Sequence, residues 1–283
     1  MPTTQAAATP SPVPPTIPPT VPATAPLTGR RGLVLGVAND HSIAWGCARV
    51  LRARGAQVLM TCLNEKARAV VQPLADSIGA TLRVCDIEQP GALAAVVAEA
   101  AAGAPDGEPH GALDFAVHSI AWAPLADLHG RVVDSSEAGF ARAMAVSCHS
   151  FAELARLCEP HLAVRGGTLV TMSYLGADEA IAHYGLMGPV KAALESMVRY
   201  MAQELGERNI RVHAVSPGPM PTRAASGLVD FDGLMARTIA SAPLRRLVTL
   251  DEVGGCVAFL VGPDATGMTG QTLFVDGGAH AVR

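Results

Sequence analysis

Charged side chains are scarce in this chain. Asp, Glu, Lys and Arg make up 16% of its 283 residues, against ~25% in a typical soluble domain, and the formal net charge is −4. No basic stripe is available to neutralise a phosphate backbone, which argues against a nucleic-acid partner and puts small molecules first. The six cysteines (Cys47, Cys62, Cys85, Cys148, Cys158 and Cys256) form no C-x-x-C pair and no Cys/His spacing of the kind a structural zinc requires. They fit a reduced, cytoplasmic compartment. The nine histidines include no H-x-x-x-H or H-E-x-x-H pair, so no metal is expected, and His41, His118 and His183 are given structural or surface roles. A membrane span needs roughly 18 or more consecutive apolar residues, and Ala92 to Ala102 is too short and includes Glu99. Neither a G-x-S-x-G elbow nor a G-x-x-x-x-G-K-[ST] loop occurs, so hydrolase and nucleoside-triphosphatase readings lapse.

What is present is apolar and rhythmic. Met1 to Thr28 hold nine of the 21 prolines and no charge, too little apolar surface to offset ordering entropy. Residues 1–28 are therefore expected to be a disordered tail and 29–283 a single domain. The tail lacks both the basic start and apolar segment of a secretory signal and the arginines of a transit peptide. Short apolar runs follow at Leu33 to Val37, Gln57 to Thr61, Thr81 to Cys85, Leu113 to His118, Thr168 to Met172, Arg211 to Val215 and Thr272 to Val275, separated by longer helical stretches. These runs lack polar/apolar alternation, as strands buried on both faces do. The pattern predicts an α/β fold: a doubly wound, Rossmann-type parallel sheet with helices on both faces, whose ligands sit beyond the carboxyl ends of the strands. Gly254 to Val261 is expected to be a helix buried in the core or at a subunit interface.

After the first run comes Gly36-Val-Ala-Asn-Asp-His-Ser42-Ile43-Ala44-Trp-Gly46, leading into a helix with an apolar stripe at Ile43, Cys47, Val50 and Leu51. Free N–H groups at a helix start attract a pyrophosphate, Ser42 is placed to cap the helix, and Gly36 and Gly46 allow close backbone approach. The G-x-G-x-x-G fingerprint is absent, so an ordinary capped helix is the competing explanation. At the end of the second run, Leu63 and Asn64 offer no cation for a 2′-phosphate, and Lys66 and Arg68 fall inside the next helix, which favours NADH over NADPH. Asp86, closing the third run, is either an acceptor for the adenine amino group or a helix cap.

The fifth run leads into Ser173-Tyr174, and ten residues on comes Tyr184-x6-Lys191. On a continuous helix, positions 184 and 191 lie two turns apart and within about 20° of one face. Leu186, Val190, Leu194, Met197, Met201 and Leu205 form a separate apolar stripe. Gly188 would leave room for a flat cofactor, and Pro189 should kink or begin the helix. A tyrosine hydroxyl can stabilise negative charge growing on a substrate oxygen, a nearby ammonium favours the phenolate, and lysine can hold ribose hydroxyls. A buried tyrosine with a snorkelling surface lysine is the plainer alternative.

Taken in order, Gly36-x5-Ser42-Ile43-Ala44, Cys85-Asp86-Ile87, His118-Ser119-Ile120, Ser173-Tyr174-Leu175-Gly176-Ala177, Tyr184-x6-Lys191, Gly218-Pro219 with Thr222, and Val275-Asp276-Gly277-Gly278 resemble the NADH-dependent enoyl-[acyl-carrier-protein] reductases, the divergent branch of the short-chain dehydrogenase/reductase superfamily. The resemblance covers residues 29 to 283. It implies an oxidoreductase of fatty-acid biosynthesis that reduces the trans-2 double bond of an enoyl thioester through an enolate. By position, Tyr184 would stabilise the enolate oxygen, Lys191 would hold the nicotinamide ribose, and Tyr174 would be the second active-site tyrosine. Gly36, Ser42, Ile43, Leu63, Asp86, Ile87, Ile120, Lys191 and Met220, Pro221, Thr222, Arg223 and Ala224 match the family's cofactor contacts, and Ala123 a substrate contact. Family members are usually homotetramers. Ordinary ketoreductases carry Tyr-x3-Lys, but Gly188 and Asp178 stand four residues after Tyr184 and Tyr174.

Departures from the family pattern cluster at Val229, Asp232 and Gly233, which replace basic residues proposed to meet the acidic carrier protein. Docking would then fall to Arg223, Arg237, Arg245 or Arg246, each otherwise a solvated surface charge. The alternatives are therefore a reductase of another enoyl thioester in specialised metabolism and a non-catalytic dinucleotide-binding sensor.

Overall fold

Each apolar run becomes a strand. The computed structural model describes residues 26–103, 111–222 and 230–282. Its strands are β1 (Arg31–Leu35), β2 (Gln57–Cys62), β3 (Thr81–Val84), β4 (Phe115–His118), β5 (Gly167–Met172), β6 (Ile210–Pro217) and β7 (Gln271–Val275). β1 starts and stops two residues before the apolar run marked on the sequence. Gly36 has φ +93°, a left-handed conformation that takes the chain out of the sheet after Leu35. The helices are α1 (Ile43–Ala53), α2 (Glu65–Ser77), α3 (Ala92–Ala102), α4 (Leu125–His129), α5 (Glu137–Met144), α6 (Ser150–Leu162), α7 (Met187–Leu205), α8 (Phe231–Ser241) and α9 (Leu250–Val261).

The strands lie in the order β3-β2-β1-β4-β5-β6-β7, all neighbours parallel. The chain winds outward from β1 to β3 and crosses back to β4, so β1 and β4 flank a switch point at their carboxyl ends, where such sheets open a crevice for ligands. Leu33 and Leu35 face one core with α3, α6 and α7, while Val34 faces a second with α1, α2 and α9. Burial on both faces is why the strands show no alternation.

Helices α1 and α9 touch through glycine. A Cβ on Gly46 would lie 2.7 Å from the Leu250 Cβ, and one on Gly254 would lie 2.7 Å from the Gly46 carbonyl oxygen. Gly46 thus serves helix packing, and the apolar Gly254 to Val261 run lies within α9, in this core. A capping box from Thr249 and Glu252 starts α9. Leu27, placed by composition in the tail, is fully buried and its N–H donates to the Arg54 carbonyl at 3.0 Å. The packed unit therefore begins before residue 29. Among the described residues, no helix is long and apolar enough to cross a membrane.

At the amino ends of the strands, buried Asp114 accepts the Arg31 N–H at 2.8 Å and pairs with Arg30 at 3.3 Å and Arg165 at 2.7 Å. It ties together the segments entering β1, β4 and β5.

Candidate active site

Beyond the carboxyl end of β1, the loop is drawn tightly against β4. A Cβ on Gly36 would sit 2.3 Å from the Ser119 carbonyl oxygen, so only glycine fits, and the Val37 N–H donates to the Thr61 carbonyl at 2.8 Å. Ser42 occupies the N-cap position of α1 but does not cap it. Its hydroxyl donates backwards to the Asn39 carbonyl at 2.6 Å, closing the loop instead. The sequence expectation of a side-chain cap is corrected on this point; the Trp45 N–H is taken by the Ser42 carbonyl at 3.0 Å, and among the described residues the Ile43 and Ala44 amides remain open to an anion. Ile43 follows, partly buried, at the first position of α1.

On the neighbouring strand, Leu63 leaves β2 with 56% of its surface exposed, an apolar side chain uncovered at the sheet's carboxyl edge. Asp86 accepts the Glu88 N–H at 3.1 Å, and α3 is capped by Gly91, so Asp86 is a turn residue and not the helix cap. Ile87, Ile120, Ala123 and Tyr184 all pack on the rim of one core. Met220 is buried in the opposite core, while Pro221 is exposed and the Thr222 N–H donates to the Met220 carbonyl at 2.7 Å. Arg223 and Ala224 lie outside the described residues.

The two tyrosines meet after β5. Their ring centroids are 4.7 Å apart at 55°, and a Cβ on Gly176 would come within 2.4 Å of the Tyr184 ring. Gly188 does not leave an open slot: the Gly176 carbonyl oxygen would lie 3.2 Å from a Cβ there. Helix α7 starts at Met187, so Tyr184 belongs to the preceding turn and the shared-face argument for positions 184 and 191 does not apply. The turn itself aims the ring, with His183 at φ +63° and the Tyr184 N–H donating to the Ile181 carbonyl at 3.2 Å. Pro189, third in α7, falls where its missing N–H breaks no bond, and no kink is needed.

Lys191 is 5% exposed, and its Nζ donates to the Met172 carbonyl at 2.6 Å, its one hydrogen-bond partner among the described residues. Burial lowers its pKa to about 8. Burial also pushes the Tyr184 phenol far above its ordinary value, with Tyr174 and Glu195 adding to the effect. Tyr174 is raised by burial to about 12. Lysine-assisted phenolate formation is therefore corrected: Tyr184 is a protonated hydrogen-bond donor, because desolvation outweighs any help from the ammonium. His118, at the end of β4, is engaged by Thr171 at 3.1 Å and Ser150 at 2.8 Å, and burial holds it neutral with a pKa of about 3.

Tyr174 also lines a cavity of about 280 Å³ with Ser216 and Pro217 of β6, Leu234 and Thr238 of α8, and Asp276. A more open hollow of about 350 Å³ lies at the opposite end of the sheet, between Arg30, Asp114 and Arg165, where the carboxylate is already paired. Of the candidate catalytic groups, Tyr174 lines the first.

Comparison with known proteins agrees with this geometry. The family described as "Enoyl-(Acyl carrier protein) reductase" matches residues 36–280. The chain belongs to the enoyl-(acyl carrier protein) reductase family. A Rhizobium meliloti protein named "Enoyl-[acyl-carrier-protein] reductase [NADH] 1" is 39% identical over 90% of this chain and 92% of its own. A Salmonella typhimurium reductase, also named for NADH, is 39% identical over 89% of this chain and 94% of its own. The crystal structure of an Anaplasma phagocytophilum reductase in complex with NAD is 41% identical, covers 91% of this chain and 96% of that one, and superposes with a TM-score of 0.84. That of a Bacillus cereus reductase with NADP+ and indole naphthyridinone is 36% identical over 91% and 98%, with a TM-score of 0.86.

Within this reductase site, two groups escaped the sequence reading. Ser216 is 1% exposed and its hydroxyl has no hydrogen-bond partner among the described residues. Glu195 is 6% exposed and accepts the Ser173 hydroxyl. Its signal was present: an acid directly after Leu194, on the core side of the α7 stripe. Of the arginines considered for carrier docking, Arg237 pairs with Asp230, Arg246 with Glu252, and Arg245 bonds the Ala240 carbonyl. Arg223 lies outside the described residues.

Proposed function

We propose that this chain reduces the trans-2 double bond of enoyl thioesters carried on acyl carrier protein, with NADH as reductant, in the last reductive step of fatty-acid elongation. The observation that carries the proposal is the joining of Tyr174, Tyr184 and Lys191 at the carboxyl end of β5 in a chain of this family. The residues fit the cofactor. Lys191 keeps two N–H donors beyond the one given to Met172, enough for ribose hydroxyls, and the Gly36 loop leaves the Ile43 and Ala44 amides at the start of α1 for a pyrophosphate. Ser42, Ile43, Leu63, Asp86, Ile87, Ile120 and the 220–224 segment would complete the binding surface, and Ala123 would touch substrate.

Bound NADH supplies a hydride to the β-carbon. Tyr184, kept protonated by burial, donates a hydrogen bond to the thioester oxygen and stabilises the charge that grows there as the enolate forms. Tyr174 packs against that ring and walls the cavity in which the acyl portion lies. Assembly as a homotetramer in the cytoplasm completes the reading; most of the tail expected at residues 1–28 lies outside the described residues. A second reading, a different enoyl thioester, is favoured by the pairing of Arg237, Arg245 and Arg246 within the chain, which leaves less free positive charge for an acidic carrier.

The test follows NADH absorbance with crotonyl thioesters on carrier protein and on coenzyme A, in wild type and Tyr184→Phe. Turnover with the carrier substrate, lost in the variant, is expected. Preference for coenzyme A supports the second reading, while NADH binding without turnover on any enoyl thioester makes the chain a sensor.

A further inference from the structure

One buried acid has no part in the chemistry just described. Glu195 lies one turn beyond Lys191 on α7, where an unpaired carboxylate would be strongly destabilising. Its Oε1 accepts the hydroxyl of Ser173, and Thr272 of β7 also bonds the carboxylate. Lys191 holds the Met172 carbonyl at 2.6 Å. Two side chains one helical turn apart therefore grip two successive residues at the end of β5, and the next residue is Tyr174, whose ring packs on Tyr184. The Ser173 N–H is fixed as well, to the Val215 carbonyl at 2.7 Å.

We propose that Glu195 is a positioning residue of the reductase site: its carboxylate holds Ser173, fixing the point from which Tyr174 leaves β5, and its negative charge faces the Lys191 ammonium. The proposal rests on the reductase reading above.

The neighbours of Lys191 single out this charge. It is faced by Cys148 from the π-helical turn Ala145–His149, by His118 from β4 and by Glu195 from its own helix. His118 is neutral, and burial raises the Cys148 thiol so that it too stays uncharged near neutral pH. Glu195 itself is faced by Ser173, Asp178, Thr272, Arg199 and Tyr184. Burial raises its pKa; the hydrogen bonds from Ser173 and Thr272 and the Arg199 charge oppose that rise, while Asp178 adds to it.

The experiment compares wild type, Glu195→Gln and Ser173→Ala, measuring NADH dissociation constants by fluorescence across pH values spanning about 8, the Lys191 pKa, with kcat and KM for the crotonyl thioester. Removing the charge makes the ammonium easier to deprotonate. NADH affinity in Glu195→Gln should therefore be lost at lower pH than in wild type, by about half a unit or more. Ser173→Ala keeps the carboxylate and loses the grip on β5, so its NADH profile should shift less than that of Glu195→Gln while kcat falls by about tenfold with KM little changed. A merely structural role would lower melting temperature and move neither readout. The proposal is overturned if the Glu195→Gln profile coincides with wild type, or if Ser173→Ala keeps full kcat; the latter decides alone should Glu195→Gln fail to fold. Wild-type protein that binds NADH but turns over no enoyl thioester sinks the reductase reading, and the NADH profile of Glu195→Gln then still tests the charge.

Discussion

The two ends of the sheet treat buried polar groups differently. At the amino ends, Asp114 receives a backbone N–H and two guanidinium groups, so the carboxylate is fully engaged. At the carboxyl ends, among the described residues, Lys191 has one acceptor for three N–H donors and the Ser216 hydroxyl has no partner. Leaving a buried donor unpaired costs about 1–3 kcal/mol, so the spare donors of Lys191 and Ser216 are available for a ligand to engage. One end holds strands together; the other waits for chemistry.

The sharpest way to break this contrast is to exchange the consequences of mutation at the two ends. Tyr184→Phe should lower kcat by about 10²–10⁴-fold while leaving melting temperature and NADH affinity near wild type, as steady-state kinetics, calorimetry and a fluorescence titration would show. Asp114→Ala should do the reverse, with a loss of about 3 kcal/mol in denaturant unfolding and an unchanged kcat, since it strands two arginines far from the site. A kinetic defect in Asp114→Ala would erase the distinction.

Acid sharpens the comparison further. His118 and His213 are buried, with pKa values lowered to about 3 and about 4. The unfolded chain takes up protons at both as pH falls below about 6.5, while the folded chain does not until the lower values are reached. Stability should therefore drop by a few kcal/mol between about pH 6.5 and 4, and His118→Asn should flatten part of that slope in urea melts. The smallest effect expected is that of Ser42→Ala. Losing the bond to Asn39 loosens the Gly36 loop and should weaken NADH binding by about fivefold, without touching kcat at saturating cofactor.

The sheet was legible because burial on both faces writes itself as unbroken apolar runs, and each of the runs marked on the sequence is a strand. Boundaries were less so: Gly36 ends β1 early by its φ, and Leu27 packs into the core although its neighbours look like linker. At the site, residue identity carried further than periodicity. Tyr184 and Lys191 were found by type and spacing, and of the two arrangements left open around Pro189 the structure has the turn, not the helix, aiming the phenol. Its protonation state could not be read at all, because desolvation depends on what the fold stacks around the ring. Ser42 shows the same limit, as a capping residue at a capping position whose hydroxyl is claimed by the loop.

The most direct test of the central claim follows the transferred atom. Incubating the protein with NADH deuterated at C4 of the nicotinamide and a crotonyl thioester, then locating the label by mass spectrometry and NMR, should place one deuterium on the β-carbon of a saturated product. Label on a carbon bearing a hydroxyl, or a thioester recovered unsaturated and unlabelled, would contradict the account.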